Sequence, residues 1–163
     1  MSGATSYEIY RSSLHSTFSS YATTASPSYS DNGVSANTTY LYEVRALGSG
    51  TSAFSAVDAA TTIVFTDTSL SSAVNIKTTH INELRTAVNA MRAAAGLSTA
   101  TFTDTLSSST LIKAIHITEL RNALDAARSA IGLSAIGYTD PTIVAGTTNA
   151  KAAHVTELRA GTQ

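Results

Sequence analysis

Two periods of apolar residues divide the chain. Over residues 5–62 apolar and aromatic positions alternate with polar ones, which is the period-two signature of half-buried strands. TSYEIYR (residues 5–11) is one such run, and residues 18–24 form a shorter one. TTYLYEVRA (residues 38–46) is the clearest, with Tyr40, Tyr42, Val44 and Ala46 on one face. Ser26-Pro27, Asp31-Asn32-Gly33 and Gly48-Ser49-Gly50 punctuate these runs as turns, and residues 52–62 read as the last strand.

From residue 63 the period changes to that of a helix. KTTHINELRTAVNAMRAAAGL (residues 77–97) recurs as KAIHITELRNALDAARSAIGL (residues 113–133) and begins again as KAAHVTELR (residues 151–159). The leading lysines are 36 and then 38 residues apart, by subtraction of their numbers. A short aromatic signal precedes each copy: FTD at residues 65–67, FTD at 102–104 and YTD at 138–140. Such a period predicts stacked supersecondary units. Ile81, Leu84, Val88, Met91 and Ala95 share one helical stripe, as do Ile117, Leu120, Leu124, Ala127 and Ile131. Beside it runs a stripe of alanine (Ala87, Ala90, Ala94; Ala123, Ala126, Ala130), which predicts a helix packed on two sides. Gly96 and Gly132 suit the C′ position, and Asn75, Thr78 or Thr79 suit the first N-cap. The expected boundaries are 1–62 for the β part and 63–98, 99–135 and 136–163 for the helical copies, the third truncated.

The residues that could carry chemistry recur with the repeat. His80, His116 and His154 each precede Glu83, Glu119 and Glu157 by three positions, so each pair lies on neighbouring helix faces. A metal site or an acid–base pair is one reading. The favoured one is structural: each histidine bonds a loop carbonyl or the aspartate of its own copy. No HExxH occurs, a metal needs three or four converging ligands, and a catalytic site is normally built once. Asp67, Asp104 and Asp140 read as turn residues paired with Arg85, Arg121 or Arg159, since the DxDxDG run of a calcium loop is missing. Arg92 and Arg128 share a flank with Arg85 and Arg121, which predicts a solvated flank or a salt-bridge rail. Phe65, Phe102 and Tyr138 read as core plugs, whereas Tyr21 and Tyr29 are the tyrosines expected to be exposed. No catalytic, cofactor-binding or metal-binding residue is expected.

The β part resembles a fibronectin type III domain. YEIYR matches strand C, SYSDNGVSANTTYLYEVRA strands E and F, and GTSAFSA the approach to strand G. The resemblance implies a β-sandwich in which Tyr40, six residues after Val34, is the tyrosine-corner residue. Strands A and B have no counterpart, since Met1–Ala4 alone precede the matching run that starts at Thr5. The (F/Y)TD…KxxH(I/V)xELR pattern resembles tandem repeats at the C-termini of bacterial exported proteins, often beside fibronectin type III domains. The resulting fold class is mixed: a partial β-sandwich followed by helical repeats, two full and one truncated.

Composition narrows the functional class. A net charge of −1 gives no reason to expect a nucleic-acid partner, and no apolar run is long enough to span a membrane. Cysteine is absent, so neither a disulfide framework nor a thiol nucleophile is available. Serine and threonine supply 49 of the 163 residues, a hydroxyl-rich, low-charge composition common in exported surface proteins. The expectation is a non-enzymatic, extracellular or cell-surface subunit that assembles with copies of itself into a filament or layer. The alternative is a module that binds cell-wall or other polysaccharide. The filament expectation rests on two incomplete ends: a sheet lacking its first strands, and a third copy too short to cover the second.

Overall fold

The computed structural model describes residues 3–71 and 74–163. Four strands, β1 (Ser6–Ser13), β2 (Ser19–Thr24), β3 (Thr39–Leu47) and β4 (Asp58–Thr61), precede three helices, α1 (Thr78–Ala94), α2 (Ala114–Ala130) and α3 (Ala152–Gly161). The strands form one antiparallel sheet in the order β2-β1-β3-β4. The mixed class, β and then α, is therefore present.

Pairing of Ile9 with Val44 and of Arg11 with Tyr42 puts Tyr7, Ile9, Arg11, Tyr40, Tyr42 and Val44 on one sheet face. The other face carries Leu41 and Ala59, which join the hydrophobic core of the helices. Further along that second face, Arg45 lies over the rings of Tyr10 and Phe54 and pairs with Glu8.

Two differences from expectation concern the β part. Residues 28–38, expected to supply strand E, hold no strand; they cross the first face as a loop pinned by side chains. No second sheet exists among the described residues, so the expected sandwich is one sheet backed by helices. The last strand is also shorter than residues 52–62. Before Asp58, two serines replace the ladder: the amides of Ala46 and Val44 donate to the hydroxyls of Ser52 and Ser55, at 2.9 and 3.1 Å. The amides of the same serines donate back to the carbonyls of Ala46 and Val44. Serine can divert a backbone bond in this way, and the regular strand is lost.

Each helix packs on both others, so the three copies close into a triangle. The stacked, open array expected from the period is corrected here. Ile81, Leu84, Val88, Met91, Ile117, Leu120, Leu124, Val155 and Leu158 have no solvent exposure and fill its centre. The alanine stripe is buried in α1 at Ala87 and Ala94, whereas in α2 Ala123 is buried and Ala126 and Ala130 are exposed. Helix α1 alone bears on the sheet as well as on its neighbours.

The helix ends are specified locally. Gly96 and Gly132 take φ of +72° and +78°, and the amides of Leu97 and Leu133 reach back to the carbonyls of Arg92 and Arg128, closing a Schellman motif twice. The N-caps are Lys77, Lys113 and Lys151, not Asn75, Thr78 or Thr79. A lysine side chain has no acceptor, so these starts are satisfied by the histidine three residues on.

Candidate functional site

One cluster is built three times. In each copy the histidine is fully buried and both of its ring nitrogens are engaged. Nδ1 accepts the N-cap amide, from Lys77 to His80 and Lys113 to His116 at 3.1 Å, and from Lys151 to His154 at 3.3 Å. Nε2 faces the aspartate of the preceding FTD or YTD signal: His80–Asp67 2.8 Å, His116–Asp104 2.9 Å, His154–Asp140 2.7 Å. These partners fix the neutral tautomer with its proton on Nε2. The lysine ammonium closes the triad on the same carboxylate oxygen, at 3.1, 2.8 and 2.7 Å. Hydrogen bonds from His80 and then Lys77 hold the Asp67 carboxyl below its ordinary range. Asp104 and Asp140 are held down likewise, by Lys113 and then His116, and by Lys151 and then His154.

The glutamates stitch the signal to the helix. Glu83, Glu119 and Glu157 accept the amides of Thr66, Thr103 and Thr139, each at 2.9 Å. The arginines connect one copy to the next. Arg85 donates to the carbonyl of Asp104 at 2.9 Å and Arg121 to that of Asp140 at 2.6 Å, while Arg159 returns to that of Asp67. Each guanidinium also lies over the aromatic ring of the copy it reaches: Arg85 on Phe102 at 4.4 Å, Arg121 on Tyr138 at 4.0 Å and Arg159 on Phe65 at 4.2 Å. Arg121 and Arg159 add ion pairs to Glu157 and Glu83, at 3.3 and 3.5 Å. The Arg85–Glu119 seam lacks this pair, and Arg85 Nη2 and Glu119 Oε2 are buried without a protein partner. Burial is the main cause that lowers the pKa of Arg85 and of Arg159.

Two expectations change as a result. The aspartate side chain pairs with the lysine and histidine of its own copy, and the arginine of another copy takes its backbone carbonyl. The arginine flank is not solvated: Arg92 donates to the carbonyls of Ser98 and Ala123, and Arg128 to those of Ser134 and Gly161. The signal for this was present, because an arginine stands at the same place in every copy. Its partner could not be read without the turn between copies.

With both imidazole nitrogens occupied, the histidines offer no lone pair to a metal and no free base to a substrate. Among the described residues no three His, Asp or Glu side chains converge on one point. The cluster is therefore a fastening, repeated at each helix start.

The second constellation lies on the first sheet face and was missed in the sequence. Asp31 accepts from Tyr21 (2.5 Å), Tyr42 (2.8 Å), Arg11 (2.7 Å) and the Gly33 amide (2.8 Å). Burial pushes this carboxyl up, but the Tyr21, Arg11, Tyr42 and Gly33 donors outweigh it and hold it at about 2. Arg11 is sandwiched between the rings of Tyr21 and Tyr40, at 3.8 and 4.7 Å. Tyr40 is buried, and its hydroxyl accepts the amide of Ser35 at 2.9 Å. Tyr21, expected to be exposed, is drawn into this hub and only half-buried, whereas Tyr29 is 47% exposed. Beside the hub an open cleft of about 500 Å³ is lined by Tyr7, Ile9, Pro27, Tyr29, Tyr42 and Val44.

No helix of the described chain is long and apolar enough to cross a membrane. No family model matches the sequence, and no curated protein or solved structure matches it either.

Proposed function

We propose that the chain is a non-enzymatic structural subunit of an extracellular or cell-surface assembly, built as part of a fibronectin type III-like domain carried on tandem helical repeats. Its partners are copies of itself. The observation that carries this reading is the first sheet face. Tyr7, Ile9, Tyr42 and Val44 border an open apolar cleft where a sandwich would place a second sheet. The adjacent edge strand β2, SSYATT, has no charge and no proline to discourage pairing. A strand from a neighbour can cover such a face and extend such an edge. The adjacency of β1, β3 and β4 agrees with strands C, F and G of the resemblance, and the Tyr40 hydroxyl reaching back to Ser35 agrees with a tyrosine corner. Closure of the helical triangle removes the second incomplete end, so assembly through the sheet does not require an open repeat array.

Electron microscopy of the purified protein tests this reading. Ordered polymers that vanish in Val44→Lys, with the helical content intact, are the expected result. A wild-type protein that stays monodisperse up to millimolar concentration would end it.

A second reading is favoured by the same cleft. Tyr7 and Tyr29 offer ring faces and hydroxyls to a sugar and Tyr42 a ring face, as in a module that binds cell-wall or other polysaccharide. Retention on insoluble glycan that is lost in Tyr29→Ala would support it.

A further inference from the structure

We propose that the third helical unit, residues 136–163, can be exchanged between two molecules, so that each copy closes the other's triangle. The partner is a second copy of this chain, and the surfaces exchanged are the seams of α3 with α1 and α2. Exchange supplies a contact for the assembly proposed above and rests on that reading for its purpose.

The argument is the equivalence of the seams. Arg85, Arg121 and Arg159 each take the carbonyl of an aspartate and the face of an aromatic ring on the unit they reach. Two of these seams join units that follow one another in the chain. The third, from Arg159 to Asp67, joins residues 92 apart and has no linker of its own. The third unit is also internally complete: Lys151, His154 and Asp140 form its fastening, and Glu157 holds Thr139, all within residues 139–157. Every contact that it makes with α1 and α2 can be made with another molecule's α1 and α2. The connection leading from α2 to the third unit, residues 131–135, holds no helix or strand, so a change of course there breaks no regular element. A unit that keeps all its contacts after exchange is the condition under which swapping costs little, and concentration then sets the balance.

Two charge reversals test this without a wild-type background. Arg159→Glu sets like charges against Glu83 in its own triangle, and Glu83→Arg does so against Arg159. In an exchanged pair of the two variants, one triangle regains the original Glu83–Arg159 seam and the other holds the same pair reversed. The variants are refolded separately and together, then examined by native mass spectrometry and thermal unfolding. The expected result is a heterodimer containing one of each, melting above either variant alone. If the mixture holds only the separate variants, folded or unfolded, exchange is overturned, because one triangle of the pair would have been wild type in every contact. As a second measurement, wild type refolded at high concentration with an isotope-labelled copy should give a mixed dimer that persists on dilution. A monomer alone counts against exchange. Polymers seen by microscopy without hetero-pairing would sink the exchange and leave the assembly; hetero-pairing without polymers would do the reverse.

Discussion

At the scale of single residues, the molecule relies on carboxylates that accept several donors at once. Asp31 is held at about 2, and Asp67, Asp104 and Asp140 are all depressed by their histidine and lysine partners. A depressed folded value means that the unfolded chain binds the proton first as pH falls. Stability from these groups is therefore fully present above the ordinary carboxylate value of about 4 and is lost as pH falls through the folded value. Urea midpoints should fall steeply below about pH 4, with a shallower fall in Asp31→Asn; an unchanged slope in that variant would remove Asp31 from the account. His116→Ala should cost about 1–3 kcal/mol from lost hydrogen bonds alone, because it strips the Lys113 amide and Asp104 of a buried partner. Equilibrium unfolding of that variant measures the cost directly.

At the scale of elements, the paired helices allow controlled comparisons. Leu84 and Leu120 are fully buried, and truncating either to alanine should cost about 2–5 kcal/mol. Arg92→Ala should cost about 0.5–1.5 kcal/mol through the two carbonyls that it caps, where a solvated flank would have made it neutral. The C′ glycines separate two effects. Gly132→Ala meets only the left-handed backbone, about 1–2 kcal/mol. Gly96→Ala meets the same backbone, and its new methyl group would come within 2.6 Å of the His15 ring. Thermal unfolding should rank Gly96→Ala well below Gly132→Ala; equal loss would mean that the His15 side chain yields freely.

The strands and helices were legible in the sequence because their periods are local. The helix stripe from Ile81 to Met91 and the sheet face from Tyr40 to Val44 both follow from spacing alone. The N-caps were not legible, because histidine is an unusual residue at the third helical position and its acceptor role shows only once the Asp67 loop folds back over it. Strand E failed for a related reason: Asp31 satisfies its neighbours through side chains, which a propensity reading does not see. The arginines were visible as repeated residues, but their targets lie on another copy.

At the scale of the whole molecule, the seam from Arg159 to Asp67 converts a row of copies into a closed body. Arg159→Ala should release α3: amides over Ala152–Gly161 and at residues 65–67 should lose hydrogen-exchange protection while β1 and β3 keep theirs. Uniform loss of protection would mean that sheet and helices unfold as one. Closure also bears on how such a gene can change. In an open array, duplicating or deleting one copy moves the ends and leaves the interior contacts intact. Here every copy has two neighbours, so deletion of one strands an arginine on one side and an aromatic ring on the other, and a fourth would have to alter the turn at every seam. Substitutions within a copy need only preserve its seam residues, whereas a change in the number of copies would break the seams themselves.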